Sequence, residues 1–150
     1  MSRCVSCCAA VSRCVAVVTD IWRTDSGRSQ RFCHAAFVAC ITAALYRCGT
    51  DPVRLAADRA TLTLMCRAIT QAFAALRAGG TAGLPRNLAV LHSPLLRMVA
   101  VRYWARTMRS PLGELCFAAH ARHAEAEMRA LARDVAARIT GSPALTELLA

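Results

Sequence analysis

Apolar residues recur every three or four positions through most of the chain, which is the spacing of helices that each bury one face. The pattern is clearest after Asp51-Pro52, a pair that suits the N-cap and first position of a helix. We predict that this helix runs to Ala78, before Gly79-Gly80. Its buried stripe is predicted to consist of Leu62, Met65, Cys66, Ile69, Phe73 and Leu76.

The segment from Arg31 to Arg47 is apolar on nearly all sides, so the helix that it predicts must be covered by other helices. It is too short to span a bilayer, and no association with a membrane is expected. Gly49 follows it in the C′ position that commonly ends a helix. His34 is expected to be a core or boundary histidine rather than a catalytic group.

Four further helices are predicted where proline occupies a favoured starting position. They start at Pro85, Ser93-Pro94, Ser110-Pro111 and Ser142-Pro143, and end near Leu91, Met108, Ile139 and Leu149. The buried face of the second is predicted to comprise Leu95, Met98, Val101, Ala105 and Met108. The whole pattern predicts an all-α fold, an orthogonal bundle of five to six helices over residues 31–150.

Residues 1–30 are predicted to precede this domain as a cysteine-rich lead and a polar linker. The lead is expected to be poorly ordered or to form a short strand at Val15–Val18. Ser12 and Arg13 interrupt its apolar run, which disfavours a signal peptide. The linker is the polar turn predicted from Thr24 to Gln30.

The net charge is +10, and all 19 basic residues are arginines spread along the chain. A dispersed basic surface without a zinc-finger spacing or an aromatic RNA motif disfavours a nucleic-acid binder. The nine cysteines are an odd number at irregular spacings, which is a poor disulfide framework. Several lie within apolar helical patterns, so we predict free thiols and a cytoplasmic protein.

Three arginines form the first candidate site. Arg102, Arg106 and Arg109 are spaced so that they share a stripe along one helix. Such a stripe is either a solvated helix face or a seat for an anion.

A second candidate group is Cys116, His120, His123 and Glu127, which step by four, three and four. A continuous helix would point them in roughly the same direction. The face could be plain polar surface, a substrate-facing surface, a metal site or, for Cys116 with His120, a nucleophile–base pair. One helix rarely completes a metal site, and no orienting acid is evident for the pair. We therefore assign neither a metal ligand nor a catalytic residue.

Taken in order, the segments from Phe32 to Ala150 resemble the C-terminal helical domain of the ketopantoate reductase family. These are the NADP-dependent 2-dehydropantoate 2-reductases of pantothenate biosynthesis. The segments are HAAFVACITAALY, DPVRLAADRATLTLMCRAITQAFAALRAGG, GLPRNLAVLHSPLL, MRSPLGELCFAAHARHAEAEM and SPALTELL. Ser110 and Glu114 match the family's Ser-x-x-x-acidic element. Glu127, or less closely Glu125, matches its later substrate-contacting glutamate.

This resemblance implies a fold like the C-terminal domain of 6-phosphogluconate dehydrogenase and a substrate-binding domain that is inactive alone. Arg102, Arg106 or Arg109 would hold the carboxylate of an acidic substrate, and Ser110 and Glu127 would orient it. A Rossmann-type domain supplied in trans would bind NADP, because the chain has no Gly-rich nucleotide loop. The family's catalytic lysine has no counterpart, since the chain contains no lysine. The resemblance thus implies a truncated or diverged reductase.

A helical interaction or dimerisation module without catalysis is the alternative function. The all-apolar helix predicted from Arg31 to Arg47 would attract a partner if its own chain left it exposed. A homo-oligomer is then the expected partner in place of a Rossmann-type domain.

Overall fold

A computed structural model of the chain describes residues 27–81 and 86–150. In these two ranges the protein is all-helical, with a 3₁₀ turn (Pro94–Leu96), a π-helical turn (Gly113–Ala118) and eight α-helices. The α-helices are α1 (Gly27–Arg47), α2 (Pro52–Ala57), α3 (Arg59–Ala78), α4 (Arg86–Leu91), α5 (Arg97–Met108), α6 (Ala119–His123), α7 (Glu125–Arg138) and α8 (Pro143–Leu149). The cysteine-rich lead and the strand predicted at Val15–Val18 lie outside the described residues.

The all-α class is confirmed for this part of the chain, but there are eight helices because two predicted helices are interrupted. The first breaks at Asp58, whose carboxylate accepts hydrogen bonds from the Thr61 backbone N–H at 3.0 Å and hydroxyl at 2.8 Å. Asp58 therefore acts as a new N-cap for α3. The second breaks at the π-helical turn and again at Ala124, where φ is −120°. The turn predicted over residues 24–30 is also wrong at its end, because α1 begins at Gly27.

Helix α1 occupies the centre of the molecule and packs against α3, α7 and α8. Its buried positions carry mostly short side chains, which allow neighbouring helices to approach closely. The buried set includes Cys33, Ala36, Ala39, Cys40, Ala43 and Ala44. The apolar helix that could have sought a partner is thus covered by its own chain.

The buried stripe predicted for α3 is confirmed, since all six residues of that stripe are buried. It packs against α1 and α5, and α8 lies against it near the end of the chain. Gln71 of α3 also accepts a hydrogen bond from the Ala144 N–H at 3.0 Å, which supplies the N-terminal cap of α8.

The predicted helix boundaries at the α1–α2 corner are confirmed. Gly49 has a φ of +68°, a left-handed conformation that favours glycine. Asp51 caps α2 by accepting hydrogen bonds from the N–H groups of Val53 at 2.8 Å and Arg54 at 3.1 Å. Across the described helices, none is long and apolar enough to cross a bilayer.

Candidate functional site

Helix α5 has one face in the core. Ala100, Val101, Trp104 and Met108 are buried on it, and the helix packs against α2 and α3. These positions recur at helical spacing, so the opposite side of α5 must face away from the core.

An aromatic cluster fixes α5 in this orientation. The Trp104 ring lies 5.6 Å from that of Phe37, between ring centroids, and 5.9 Å from that of Phe117. The Trp104 indole N–H donates to Nε2 of His92 at 3.0 Å. This bond crosses from α5 to the turn after α4, so both segments are held in one arrangement.

His92 is the most strongly perturbed base in this region. Its side chain is buried, and burial lowers its pKa to about 4, although the nearby carbonyl of Cys66 acts in the opposite direction. Because Nε2 accepts from Trp104, the neutral ring carries its proton on Nδ1. That atom is buried without a hydrogen-bond partner. His92 is therefore a neutral structural anchor for α5 at physiological pH.

The outward side of α5 and of the preceding 3₁₀ turn carries large apolar side chains. Leu95 is 95% exposed, Met98 53%, Val99 52% and Tyr103 47%. The buried face predicted for this helix is therefore wrong at Leu95 and Met98. Leu95 belongs to the 3₁₀ turn, whose period differs from that of an α-helix, and the bulk of Trp104 sets which side of α5 is buried.

The three arginines of the predicted stripe lie on the same outward side. Arg102, Arg106 and Arg109 line one concave surface together with Val99, Tyr103 and Ala105. Arg109 also donates a hydrogen bond to the Ala56 carbonyl at 3.1 Å, which holds its guanidinium against α2. We use the term α5 face for Leu95, Met98, Val99, Arg102, Tyr103, Arg106 and Arg109.

Ser110 and Glu127 are not among the residues that line this concave surface. The Ser110 hydroxyl donates to the Thr107 carbonyl at 2.6 Å, so it is used within its own turn. Glu127 is exposed in the first turn of α7, a helix that packs against α1 and α8. The structure therefore groups the three arginines but leaves these two residues outside their concave surface.

The chain around Cys116 does not form the continuous helix on which the second candidate group depended. Gly113 approaches the preceding helix so closely that a Cβ atom there would lie 2.4 Å from the Met108 carbonyl oxygen. The π-helical turn that starts at this contact changes the register, and Ala124 breaks the helix before Glu127. In the described ranges, no three His, Cys, Asp or Glu side chains come together as a metal site.

The two histidines of that group have other surroundings. His123 Nδ1 lies 2.7 Å from the Ala119 carbonyl of its own helix. The positive charge of His120 adds to the effect of burial in lowering the pKa of His34, and burial is the larger cause. His34 is half-buried at the edge of the core, as predicted for a boundary histidine.

The charge around the α5 face is strongly one-sided. Residues 59–113 contain eight arginines and no acidic residue. The acidic residues that border this range are used locally: Asp58 caps α3, and Glu114 forms an ion pair with Arg122. The arginines of the face thus have no acidic side chain from their own stretch of chain to neutralise them. The sequence interpretation of a dispersed charge missed this block.

Sequence reasoning also missed the exposed apolar residues beside the arginines. The signal that could have revealed them is Trp104, the largest side chain of α5. A face centred on Trp104 includes Ala100, Val101 and Met108 and turns Met98 and Val99 outward.

No protein-family model, no curated protein and no solved structure matches the chain. The functional conclusion therefore depends on the site itself.

Proposed function

We propose that this helical domain is an interaction module that binds a protein partner through the α5 face. The observation that supports it is the side-by-side exposure of Leu95, Met98, Val99 and Tyr103 within nine positions of the chain. Single exposed apolar residues are ordinary, but several large ones beside charged residues on one helix are typical of a binding surface.

The side chains available on this surface favour binding over catalysis. Its concave part is lined by arginine, tyrosine, valine and alanine. Tyrosine and arginine are the residue types most often found at the centre of protein interfaces, because each combines apolar area with hydrogen-bonding groups. The lining contains no cysteine, histidine or carboxylate that could act as a nucleophile or general base at neutral pH.

The helix that carries this surface is also anchored to the rest of the molecule, which suits recognition. Trp104 and its hydrogen bond to His92 anchor the buried side of α5, and Arg109 is bound to the Ala56 carbonyl. A partner therefore meets a preformed helix, and little conformational entropy is lost on docking.

A displayed library of random helical peptides tests this proposal without assuming a ligand. Selected peptides should bind the wild-type protein, and binding should fall at least about tenfold in Leu95→Ser and Val99→Ser, since each removes a contact worth over 1 kcal/mol at an interface. Val53→Ser, a change at another exposed valine on α2, is the matched control and should bind normally. Ligands that bind all variants equally would show that the α5 face is not the binding surface.

The resemblance to ketopantoate reductases supplies a second candidate, a substrate-binding domain with a fold like that of 6-phosphogluconate dehydrogenase's C-terminal domain. The shared concave surface of Arg102, Arg106 and Arg109 favours it, because guanidinium groups bind carboxylates bidentately. Calorimetric titration with 2-keto acids tests it, and binding should disappear in Arg102→Gln. With NADPH added, the chain alone should show no turnover. Absence of saturable 2-keto acid binding would remove this candidate.

A further inference from the structure

We infer that the partner of the α5 face is an acidic amphipathic helix. This inference rests on the proposed function and specifies its partner. It depends on two further properties of the face: the order of its apolar and cationic side chains, and the charge of the chain around it.

The cationic side chains form one stripe along α5, and apolar side chains lie on both sides of it. With 100° per residue, Val99, Tyr103, Arg102, Arg106, Arg109 and Met98 fall within about 140° of arc. Arg106 projects between Val99 and Arg102, and Met98 lies beyond Arg109. A complementary surface must therefore offer acidic groups with apolar groups on both sides of them over the same small area.

A helix meets this requirement at the observed length. Met98 to Arg109 spans about 16 Å along the axis, which corresponds to about three turns of a second helix. Apolar residues of the partner one turn apart would contact Val99 and Tyr103, and acidic residues beside them would reach Arg102 and Arg106. The arginines have N–H donors available for these acidic residues. Even Arg109 uses only one of its five N–H groups for the Ala56 carbonyl.

The charge distribution selects an acidic partner over a second copy of the chain. An isologous dimer through the α5 face would place Arg102 and Arg106 against the same residues of its mate. Residues 59–113 contain no acidic side chain that could separate them. Like charges brought together at an interface cost several kcal/mol, so the face is self-repelling.

Two other anionic partners fit the face less well. A helix that binds a lipid surface separates its apolar sector from its cationic sector, because only the apolar sector enters the acyl region. On α5 the cationic stripe instead divides the apolar side chains into two groups, so the face has no single apolar sector. A nucleic-acid strand would contact the arginines and stack on Tyr103, but it would leave Leu95, Met98 and Val99 without apolar partners.

Three synthetic peptides of about 16 residues test the inference, with leucine at helical spacing and glutamate, glutamine or lysine at the flanking positions. The glutamate peptide should bind the full chain in fluorescence anisotropy at least about tenfold more tightly than the glutamine peptide, and the lysine peptide should not bind. Arg102→Glu/Arg106→Glu should weaken binding of the glutamate peptide by at least about tenfold. Arg67→Glu/Arg77→Glu, which changes the net charge equally on α3, should have little effect.

Each outcome decides the inference. Equal binding of the glutamate and glutamine peptides at the α5 face would overturn the inference of an acidic partner. The proposal of an interaction module would still stand. Binding that Leu95→Ser and Val99→Ser leave unchanged would overturn both. Anionic vesicles and a single-stranded DNA oligonucleotide are the competing ligands. If either binds more tightly than the glutamate peptide, and if Arg102→Glu/Arg106→Glu abolishes that binding, the face is assigned to lipid or nucleic acid instead.

Discussion

The indole N–H of Trp104 donates a hydrogen bond to Nε2 of His92 at 3.0 Å, inside the aromatic cluster that seats α5. The bond requires a histidine with an unprotonated Nε2. Protonation of His92 would place an N–H against an N–H in a buried site. The docking of α5, and with it the α5 face, is therefore linked to the protonation state of His92.

We expect this link to appear as a loss of stability in acid. The pKa of His92 is lowered to about 4 in the folded state, from 6.5 when exposed, so the unfolded chain binds more protons between these values. Stability is therefore complete above pH 6.5 and falls as the pH decreases towards 4, by roughly 3 kcal/mol for this group. Urea unfolding at pH 7 and pH 4.5 measures the effect.

Two variants separate this effect from that of other titrating groups. His92→Gln should lose stability at pH 7 and show a smaller acid-dependent loss than the wild type. His123→Gln, at an exposed position, should retain the wild-type pH dependence. An unchanged pH dependence in His92→Gln would contradict the role of this histidine.

Gly113 should tolerate no side chain. An alanine Cβ would lie 2.4 Å from the Met108 carbonyl oxygen and 2.7 Å from its Cα, both of which are backbone atoms. We expect Gly113→Ala to lower the free energy of unfolding by at least about 2 kcal/mol, because the two segments must separate. Thermal or urea unfolding measures the change.

Gly79→Ala is the matched control, because the nearest atoms to its added Cβ are 3.5 Å away and its φ is −77°. It should be neutral or stabilise the protein by up to about 1 kcal/mol through the lower entropy of the unfolded chain. Similar losses in both variants would contradict the close approach at Gly113.

Removing the side chains at two helix N-termini should change the free energy of unfolding in opposite directions. Asp51→Ala removes two hydrogen bonds from the first turn of α2 and should cost about 1 kcal/mol. Ser142→Ala should be neutral or stabilising by up to about 1 kcal/mol, since the Ser142 hydroxyl is buried without a hydrogen-bond partner. Chemical denaturation of both variants tests this, and a loss in Ser142→Ala equal to that in Asp51→Ala would show that the hydroxyl is a true cap.

The buried thiols of α1 and α3 should be inert in the folded protein. Burial raises the pKa of Cys40 and of Cys66 to about 12, so almost no thiolate is present at pH 8. Brief alkylation with iodoacetamide followed by peptide mapping should leave both unmodified in buffer. Both should react in denaturant. Rapid native labelling of either residue would show that the core opens locally.

Periodicity was enough for the central helices, whose burial is decided by many positions at once. The stripe of α3 from Leu62 to Leu76 and the burial of most of the apolar segment of α1 both follow from it. The ends of the helices were harder. Asp51 caps α2 with its side chain as predicted. Ser93 and Ser142 occupy N-cap positions, but their hydroxyls make no capping hydrogen bond, and the Ser110 hydroxyl bonds to the preceding turn. The cap of α8 comes from Gln71, a residue 73 positions away that no local pattern indicates.

The candidate site shows the same division between local and tertiary information. The helical spacing of Arg102, Arg106 and Arg109 is local, and the structure does place these side chains around one concave surface. The grouping of Cys116 with Glu127 needed a continuous helix, but the π-helical turn over Gly113–Ala118 changes the register and Ala124 interrupts the helix. Alanine is a good helix former, so sequence spacing alone could not reveal the break at Ala124.

The short side chains around α1 also determine how the sequence of this protein can vary. Alanine has no side-chain rotamers and cysteine few, so an added methylene at Ala36, Ala39 or Ala43 cannot be accommodated by a local rearrangement. Whole helices would have to move apart. Tolerated replacements at these three positions should therefore stay within the volumes of glycine, alanine, serine and cysteine. On α3, by contrast, Leu62, Met65 and their neighbours should exchange freely among the larger aliphatic residues.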